Sequence, residues 1–134
     1  MEGSAGSAGW TEDHDKAFAT AKSEKKVVLA DFTGSDWCGW CVRLKAEVFD
    51  APEFKEWAAK NVVLLEVDFP RRKMLTPEQR RKNEELAGRY RILGYPTILF
   101  LDGDGKALGQ MGYEAGGAAH WVARAQQIVD AARR

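Results

Sequence analysis

The chain has only two cysteines and two histidines in 134 residues, and these shortages exclude some classes of protein. Secreted scaffolds that depend on disulfides carry several bridges across long loops. Cys38 and Cys41 stand three positions apart, so a bond between them would restrict the unfolded chain very little. A zinc site would also need His14 and His120, which stand far apart in the sequence without ligand spacing. We therefore expect neither a disulfide scaffold nor a zinc site, and we interpret both histidines as structural or surface residues.

Charge and hydropathy exclude two further classes of protein. The sequence has 20 basic and 20 acidic side chains, and this balance gives no overall field that would attract nucleic acid or an anionic membrane surface. No apolar run approaches the roughly 20 residues of a membrane-spanning helix. A chain of this length can bury one core but is too short for two. We expect a single domain and a monomer, with no nucleic-acid partner and no membrane span.

The first nine residues repeat Gly, Ser and Ala, without the basic start and apolar stretch of a secretory signal. We interpret residues 1–9 as a flexible linker or a cloning scar, and residues 10–134 as the domain. Such a segment could have replaced a native leader. This end of the chain therefore leaves the cellular compartment open.

Two apolar runs separated by helical patterns predict parallel strands. Residues 27–32 and 62–68 are short, apolar and typical of buried strands. A helix is predicted over residues 11–24, helical spacing of apolar residues continues from 41 to 49, and Asp50 resembles the cap of another helix. Two strands joined through a helix form a right-handed βαβ unit.

The second half of the sequence predicts an antiparallel hairpin. Residues 97–101 and 106–111 flank the run Asp-Gly-Asp-Gly, which is a strong turn signal. One helix is predicted to begin at Thr76, which resembles an N-cap, and the last helix spans about 117–132. We expect an α/β fold of three layers, with a mixed central sheet and helices on both faces.

The segment from Arg71 to Glu85 holds six basic against three acidic residues. A charge run of this kind is commonly a solvated helix face. The alternative is a docking patch for an acidic partner, centred on Arg71, Arg72 and Lys73.

The two cysteines lie where the first predicted strand turns into a helix. A thiol at a helix N-terminus meets unpaired backbone N–H groups and the positive end of the helix dipole, and both favour the thiolate. Cys38 is therefore predicted to be the nucleophile, and Cys41, one turn further in, the resolving thiol. Trp37, Gly39 and Trp40 surround the pair, which argues against two inert core cysteines. Copper(I) binding by the two thiolates remains an alternative.

The order of these motifs resembles the thioredoxin family over residues 11–134, and the signature GSDWCGWC at 34–41 is similar to that of bacterial thioredoxin-like proteins, many of which are exported. The features that carry the resemblance are Asp31 in the first strand, Trp37, Cys38, Cys41, Pro96 before a strand, and Gly112 after the last strand. The resemblance implies a thioredoxin-like fold and thiol–disulfide exchange. It also implies an exported or periplasmic location if a leader was removed, and a cytoplasmic one otherwise.

The resemblance also assigns roles to individual residues. It implies a cis peptide bond before Pro96 and a substrate groove there, flanked by Tyr95, with close backbone approach at Gly112. Asp31 matches a buried carboxylate that takes the proton of the resolving cysteine. Burial in an apolar run would raise the pKa of Asp31 into a useful range for a base. The alternative for Asp31 is a polar group at a strand end that the backbone satisfies.

The sequence departs from the family in three places. The dipeptide between the cysteines is Gly39-Trp40, where typical thioredoxins have Gly-Pro. The lysine that accompanies the buried acid in the family is replaced at its nearest matching position by Leu64. Residues 69–85 are longer than in a minimal thioredoxin, so they either reshape the surface near Pro96 or lengthen a helix.

These observations predict a protein disulfide reductase that works through a mixed disulfide, with no cofactor beyond the redox-active Cys38–Cys41 pair and no metal. Its expected partners are protein disulfide substrates and an upstream thiol protein that donates or accepts electrons. An oxidase or isomerase in an oxidising compartment would use the same atoms, so the direction of electron flow stays open.

Overall fold

The computed structural model describes residues 9–133, which form one five-stranded sheet with helices on both faces. The strands are β1 (Trp10–Thr11), β2 (Val27–Thr33), β3 (Val62–Asp68), β4 (Thr97–Leu101) and β5 (Ala107–Met111). The helices are α1 (His14–Glu24), α2 (Gly39–Leu44), α3 (Pro52–Asn61), α4 (Pro77–Arg89) and α5 (Gly117–Ala132), and a π-helical turn at Lys45–Phe49 continues α2. The predicted linker lies outside the described residues, apart from Gly9.

The strand order is β1-β3-β2-β4-β5, which confirms the predicted mixed sheet. β3 runs parallel to β1 and β2, whereas β4 is antiparallel to both β2 and β5. Every residue of β2 is buried, as expected for a central strand covered on both faces. In the β2–β3 register, Leu29 lies opposite Leu64 and Asp31 lies opposite Glu66.

The two faces of the sheet carry separate apolar cores. One core lies under α3 and α5 and is rich in aromatic rings, including Trp10, Phe49, Phe54 and Trp121. The other lies under α1 and α4 and contains small and aliphatic side chains together with Phe32. Since side chains alternate along a strand, Asp31 points to the aromatic face while Phe32 points to the other.

The predicted start of the first helix is wrong by three residues. Trp10 and Thr11 pair with β3 as an edge strand, and α1 begins only at His14. Asp13 is its N-cap, and its side chain accepts a hydrogen bond from the Lys16 N–H at 3.1 Å. Trp10 explains the difference, because its ring is buried against Phe49 and Phe54.

The prediction that Asp50 caps a helix is also wrong. Ala51 is the N-cap of α3 and makes no side-chain capping bond, while the carboxylate of Asp50 accepts from Lys45 Nζ at 3.1 Å. The cap at Thr76 is confirmed, since its hydroxyl accepts from the Gln79 N–H at 3.1 Å. The side chain of Gln79 does not return to Thr76 but donates to the Glu12 carbonyl at 3.0 Å.

The two histidines lie far from the cysteines along the chain. His14 is buried and shares a hydrogen bond of 2.8 Å with Asn83, which joins α1 to α4. His120 lies on the surface of α5, 3.1 Å from Glu114. Across residues 9–133, no helix combines the length and apolar composition needed to cross a bilayer.

Candidate active site

Cys38 and Cys41 form a disulfide at the first turn of α2, immediately after the loop that leaves β2. Their Cα atoms are 5.2 Å apart, which suits a reversible bond. Cys38 is the N-cap of the helix, and its Sγ accepts a hydrogen bond from the Cys41 N–H at 3.3 Å. The Gly34 N–H donates to the Sγ of Cys41 at 3.5 Å. Each sulfur therefore already contacts a backbone donor.

Total exposure does not separate the two cysteines, because Cys38 is 7% exposed and Cys41 is 6% exposed. Their surroundings do separate them. Cys41 lines a cavity of about 170 Å³ that also reaches Asp31, whereas Cys38 does not line it. The assignment of Cys38 as nucleophile and Cys41 as resolving thiol remains a prediction, and the cavity places the Asp31 carboxyl on the Cys41 side.

Trp37 is fixed by three contacts beside the disulfide. Its Nε1 donates to the Phe69 carbonyl at 2.7 Å, and its ring meets Tyr95 edge-on at 5.7 Å. Its indole lies on Gly34, where a Cβ atom would be only 2.3 Å from the ring. Only glycine at position 34 therefore lets the indole pack here.

Gly39 and Trp40 shape the outer surface at the disulfide. A Cβ at Gly39 would meet nothing within 4 Å, so this position leaves the surface open. Trp40 is 54% exposed, and its ring contacts Tyr113 at 5.1 Å. The guanidinium of Arg43 lies 5.2 Å from both ring centroids. Glu47 pairs with Arg43 at 3.0 Å and accepts a hydrogen bond from the Tyr113 hydroxyl, so these side chains form an aromatic cluster whose charges balance, next to Cys41 in the sequence.

The Tyr95–Pro96 peptide bond is cis, as the family resemblance implied. Tyr95 is half-buried between Trp37 and Phe69, and burial raises the pKa of its hydroxyl. A Cβ at Gly112 would lie 3.6 Å from the Pro96 carbonyl oxygen, an ordinary contact, so the backbone itself does not require glycine there. The roles of Tyr95, Pro96 and Gly112 in substrate binding remain predictions.

Asp31 is 8% exposed, and its Oδ1 is buried without a hydrogen-bond partner among the described residues. The backbone therefore does not satisfy this oxygen, contrary to the alternative raised from the sequence. Burial, followed by the charges of Glu66 and Asp68, raises the pKa of Asp31 well above its ordinary value. β3 contains no lysine. Glu66 lies opposite Asp31 in the strand register, and Leu64 lies opposite Leu29.

Sequence reasoning missed Glu66 and the role of Asp68. Glu66 faces the same cavity as Asp31, and its burial raises its pKa to about 7. Asp68 is fully buried but well bonded, since it accepts from the Ser35 N–H at 2.9 Å and lies 3.3 Å from Lys73 Nζ. The only available signal was the presence of two acids in the apolar run of β3.

The segment after β3 packs against the active-site loop through Asp36. Both carboxylate oxygens of Asp36 accept backbone hydrogen bonds, from Arg71 at 2.9 Å, Arg72 at 2.9 Å and Lys73 at 2.8 Å. The guanidinium of Arg71 lies 3.9 Å from the ring centroid of Trp37. Phe69 contacts Tyr95, with ring centroids 5.5 Å apart. The segment after β3 therefore packs beside Trp37 and Tyr95, next to Pro96.

Among residues 9–133, no three side chains of His, Cys, Asp or Glu are grouped so that they could hold a metal ion. Cys41 and the carboxyls of Asp31 and Glu66 line one cavity. A disulfide at the first turn of a helix, with one of its cysteines beside a cavity that holds carboxyl groups, has the groups that thiol–disulfide exchange uses.

Comparison with known proteins agrees with this chemistry. A family model described as "Thioredoxin-like domain" matches residues 14–123, which include both cysteines and Pro96. The disulfide bond reductase DsbH of Chlamydia pneumoniae is 37% identical over 118 residues, covering 88% of this chain and 71% of that protein. A solved structure of a DsbH oxidoreductase superposes with a TM-score of 0.86 at 33% identity, covering 97% of this chain and 92% of that one.

A further relative shows the same domain within a longer protein. The thiol:disulfide interchange protein DsbD of Actinobacillus pleuropneumoniae is 35% identical over 91 residues, which are 68% of this chain but only 14% of DsbD.

Proposed function

The chain belongs to the thioredoxin-like family and is a thiol–disulfide oxidoreductase, and from this we propose that it reduces protein disulfides with the Cys38–Cys41 dithiol. The observation that most supports the chemistry is the disulfide at the first turn of α2, beside a cavity lined by Asp31, whose Oδ1 has no hydrogen-bond partner within residues 9–133. The reducing direction is supported by the similarity to DsbH of Chlamydia pneumoniae, which is named a disulfide bond reductase.

The first step is attack by the Cys38 thiolate on a substrate disulfide. The Cys41 N–H already points at the Cys38 sulfur in the oxidised form, and the same donor would stabilise the thiolate. A bond forms between Cys38 Sγ and one substrate sulfur, and the other substrate sulfur leaves as a thiolate that takes a proton from water. This step produces a mixed disulfide.

The second step is resolution by Cys41. Its thiol gives a proton to the carboxylate of Asp31, and the resulting thiolate attacks Cys38 Sγ. The Cys38–Cys41 bond forms, the bond between Cys38 and the substrate breaks, and the second substrate thiolate leaves. Two electrons have then passed from the dithiol to the substrate, and a thiol protein upstream must restore them.

The groove beside the disulfide would hold the substrate as an extended strand. In this proposal Pro96 and Tyr95 line one side, and the backbone near Gly112 the other, so that main-chain hydrogen bonds give affinity with little sequence preference. Trp37, Gly39 and Trp40 border the sulfurs. We further propose that the protein acts outside the cytoplasm, because stable disulfide substrates persist there. We also propose that it acts as a monomer. Fractionation of the native host tests the compartment.

The equilibrium redox potential of the Cys38–Cys41 pair tests the direction. A reductase requires a potential near or below about −250 mV, whereas a value near about −120 mV would mark an oxidant and overturn the proposed direction. The measurement uses glutathione buffers and the full chain, with Cys38→Ser as the blank that lacks the reactive pair.

Trapping tests the residue assignment. Cys41→Ser should accumulate mixed disulfides with substrate proteins through Cys38, because the resolving thiol is absent. The matched variant Cys38→Ser should accumulate few, because it lacks the nucleophile. Trapping by Cys38→Ser and not by Cys41→Ser would reverse the two roles.

A further inference from the structure

Three acidic residues line the cavity behind Cys41, although the chemistry described so far uses only Asp31; Asp50 is exposed and paired with Lys45, which leaves Glu66 without an assigned role. Asp31 and Glu66 line it, together with Thr33, Ser35 and Lys45. Its volume of about 170 Å³ is enough for several water molecules. Val42 and Lys45 also line the cavity and have exposed side chains, so the cavity reaches solvent.

Asp31 and Glu66 are direct neighbours in the β2–β3 register, and their side chains point to the same face of the sheet. Adjacent strands lie about 4.8 Å apart, so the two carboxyls can interact, and the charge of Glu66 adds to burial in raising the pKa of Asp31. Asp31 is buried, and its Oδ1 has no hydrogen-bond partner among the described residues, while Glu66 is half-buried. Two neighbouring carboxyls that are both removed from bulk solvent cannot both ionise without cost, so ionisation of one raises the pKa of the other.

The other charged groups near Glu66 do not remove this constraint. Asp68 follows it on β3 and is bonded to Ser35 and Lys73, and Glu12 adds a further negative charge from the segment between β1 and α1. Lys45 and Lys73 lower the pKa of Glu66, but less than burial and the acids raise it. Lys45 is paired with Asp50 at 3.1 Å.

We propose that Glu66 is a positioning residue for proton transfer, which shares one proton with Asp31 and carries it between Asp31 and the solvent side of the cavity. This inference rests on the proposed function. When Cys41 resolves the mixed disulfide, its proton passes to Asp31, and Glu66 takes it on and releases it to water. The electron pair of the Cys41 thiolate forms the new bond to Cys38, so the carboxyls move only the proton.

The pair would change its protonation in the neutral range. Burial, followed by the charges of Asp68 and Glu12, raises the pKa of Glu66 to about 7. The titration therefore belongs to the pair, and each carboxyl should report both steps.

Carboxyl-carbon NMR across a pH titration tests the coupling in the oxidised full-length chain. In the wild type, the chemical shift of the Asp31 carboxyl carbon should change in two steps as the pH rises. In Glu66→Gln it should follow one, about one pH unit below the upper step, because the neighbouring charge is gone. Glu56→Gln, on the exposed face of α3, is the matched control and should keep two steps. A single Asp31 step with the same midpoint in all three proteins would overturn the proposal.

The pH profile of resolution tests the role in proton transfer. Release of a chromophoric thiol from a mixed disulfide on Cys38 measures the rate of resolution. In a plot of this rate against pH, the rising limb should move to lower pH in Glu66→Gln, by about the same shift as the Asp31 titration. If NMR shows that the two carboxyls are coupled but the pH–rate profile of resolution is the same in Glu66→Gln and in the wild type, the proposed role in proton transfer is wrong. A wild type without reductase activity would instead contradict the proposed function, and NMR would still measure the carboxyl coupling.

Discussion

Asp31 and Asp36 lie on either side of the turn that leads from β2 to the disulfide, and their carboxyl groups have opposite surroundings. Asp36 is half-buried and accepts three backbone hydrogen bonds from Arg71, Arg72 and Lys73, which together lower its pKa to about 2. Asp31 is buried, has an oxygen without a partner among the described residues, and has a raised pKa. Backbone donors stabilise a carboxylate, whereas burial without donors favours the neutral acid.

The difference separates a structural carboxylate from one that can exchange protons. Asp36 stays ionised at any working pH and can therefore hold the segment after β3 against the active-site loop. Burial raises the pKa of Asp31 well above its ordinary value, so this carboxyl holds a proton more readily than Asp36 does and can act as a proton acceptor. Four variants would break or sharpen this comparison.

The largest effect is expected when Asp31 loses its capacity as a base. In Asp31→Asn, the resolution step should slow by about 100-fold at pH 7, since general-base catalysis commonly contributes that much. The folded state should become more stable at pH 8, by about 1–3 kcal/mol, because a buried carboxylate without a full set of partners is removed. Rapid-mixing kinetics and urea denaturation measure the two effects. Unchanged resolution kinetics would assign Asp31 a purely structural role.

Glu66→Gln sharpens the comparison through the pH dependence of stability. The folded pKa of about 7 lies above the ordinary value of 4.5, so the folded protein binds more protons between these values and loses stability as pH rises through them. Glu66→Gln lacks this loss. It should match the wild type near pH 4 and exceed its free energy of unfolding by about 1–2 kcal/mol at pH 8. Glu56→Gln should follow the wild type at both pH values, and a constant difference in Glu66→Gln would contradict the assignment.

Asp36→Ala breaks the structural side of the comparison. The folded pKa of Asp36 lies below its ordinary value, so its stabilising effect is fully present at neutral pH and is lost only as pH falls toward about 2. At pH 7, the amides of Arg71 to Lys73 should exchange hydrogen about tenfold faster in the variant, while those of β2 should not change. Asp50→Ala, which removes an exposed acid paired with Lys45, is the control. Equal amide protection in the wild type and both variants would show that the hydrogen bonds to Asp36 do not hold the segment after β3.

Sequence predicts the parts of this molecule that depend on local pattern. The bounds of β3, β4 and α5 agree with the apolar runs and the helical stripe, because the two strands are buried over consecutive residues and the helix buries one face. The family membership, the mixed sheet and the Cys38–Cys41 pair follow from motifs in the right order. The cis bond at Pro96 came from the resemblance, since no local pattern distinguishes it.

The parts that sequence did not predict depend on distant contacts. Glu66 appears as an ordinary strand residue until the parallel register brings it opposite Asp31. The hydrogen bonds to Asp36 come from three backbone amides more than 30 positions away in the sequence. β1 contains only two residues and is fixed by the burial of Trp10. Each of these features needs the folded chain, because neither spacing nor propensity encodes a long-range pairing.

Arg71→Ala should give the smallest effect on stability and activity. It tests whether the segment at residues 71–73, which is hydrogen-bonded to Asp36, also recognises substrates. The guanidinium of Arg71 lies over Trp37 at 3.9 Å, so its removal should cost about 0.5–1 kcal/mol of stability. If the segment docks acidic partners, kcat/KM for an acidic disulfide peptide should fall about two- to fivefold at low salt, and the difference should shrink at high salt. A neutral peptide is the control substrate. An equal fall for both peptides would limit Arg71 to supporting Trp37 and would favour a solvated face.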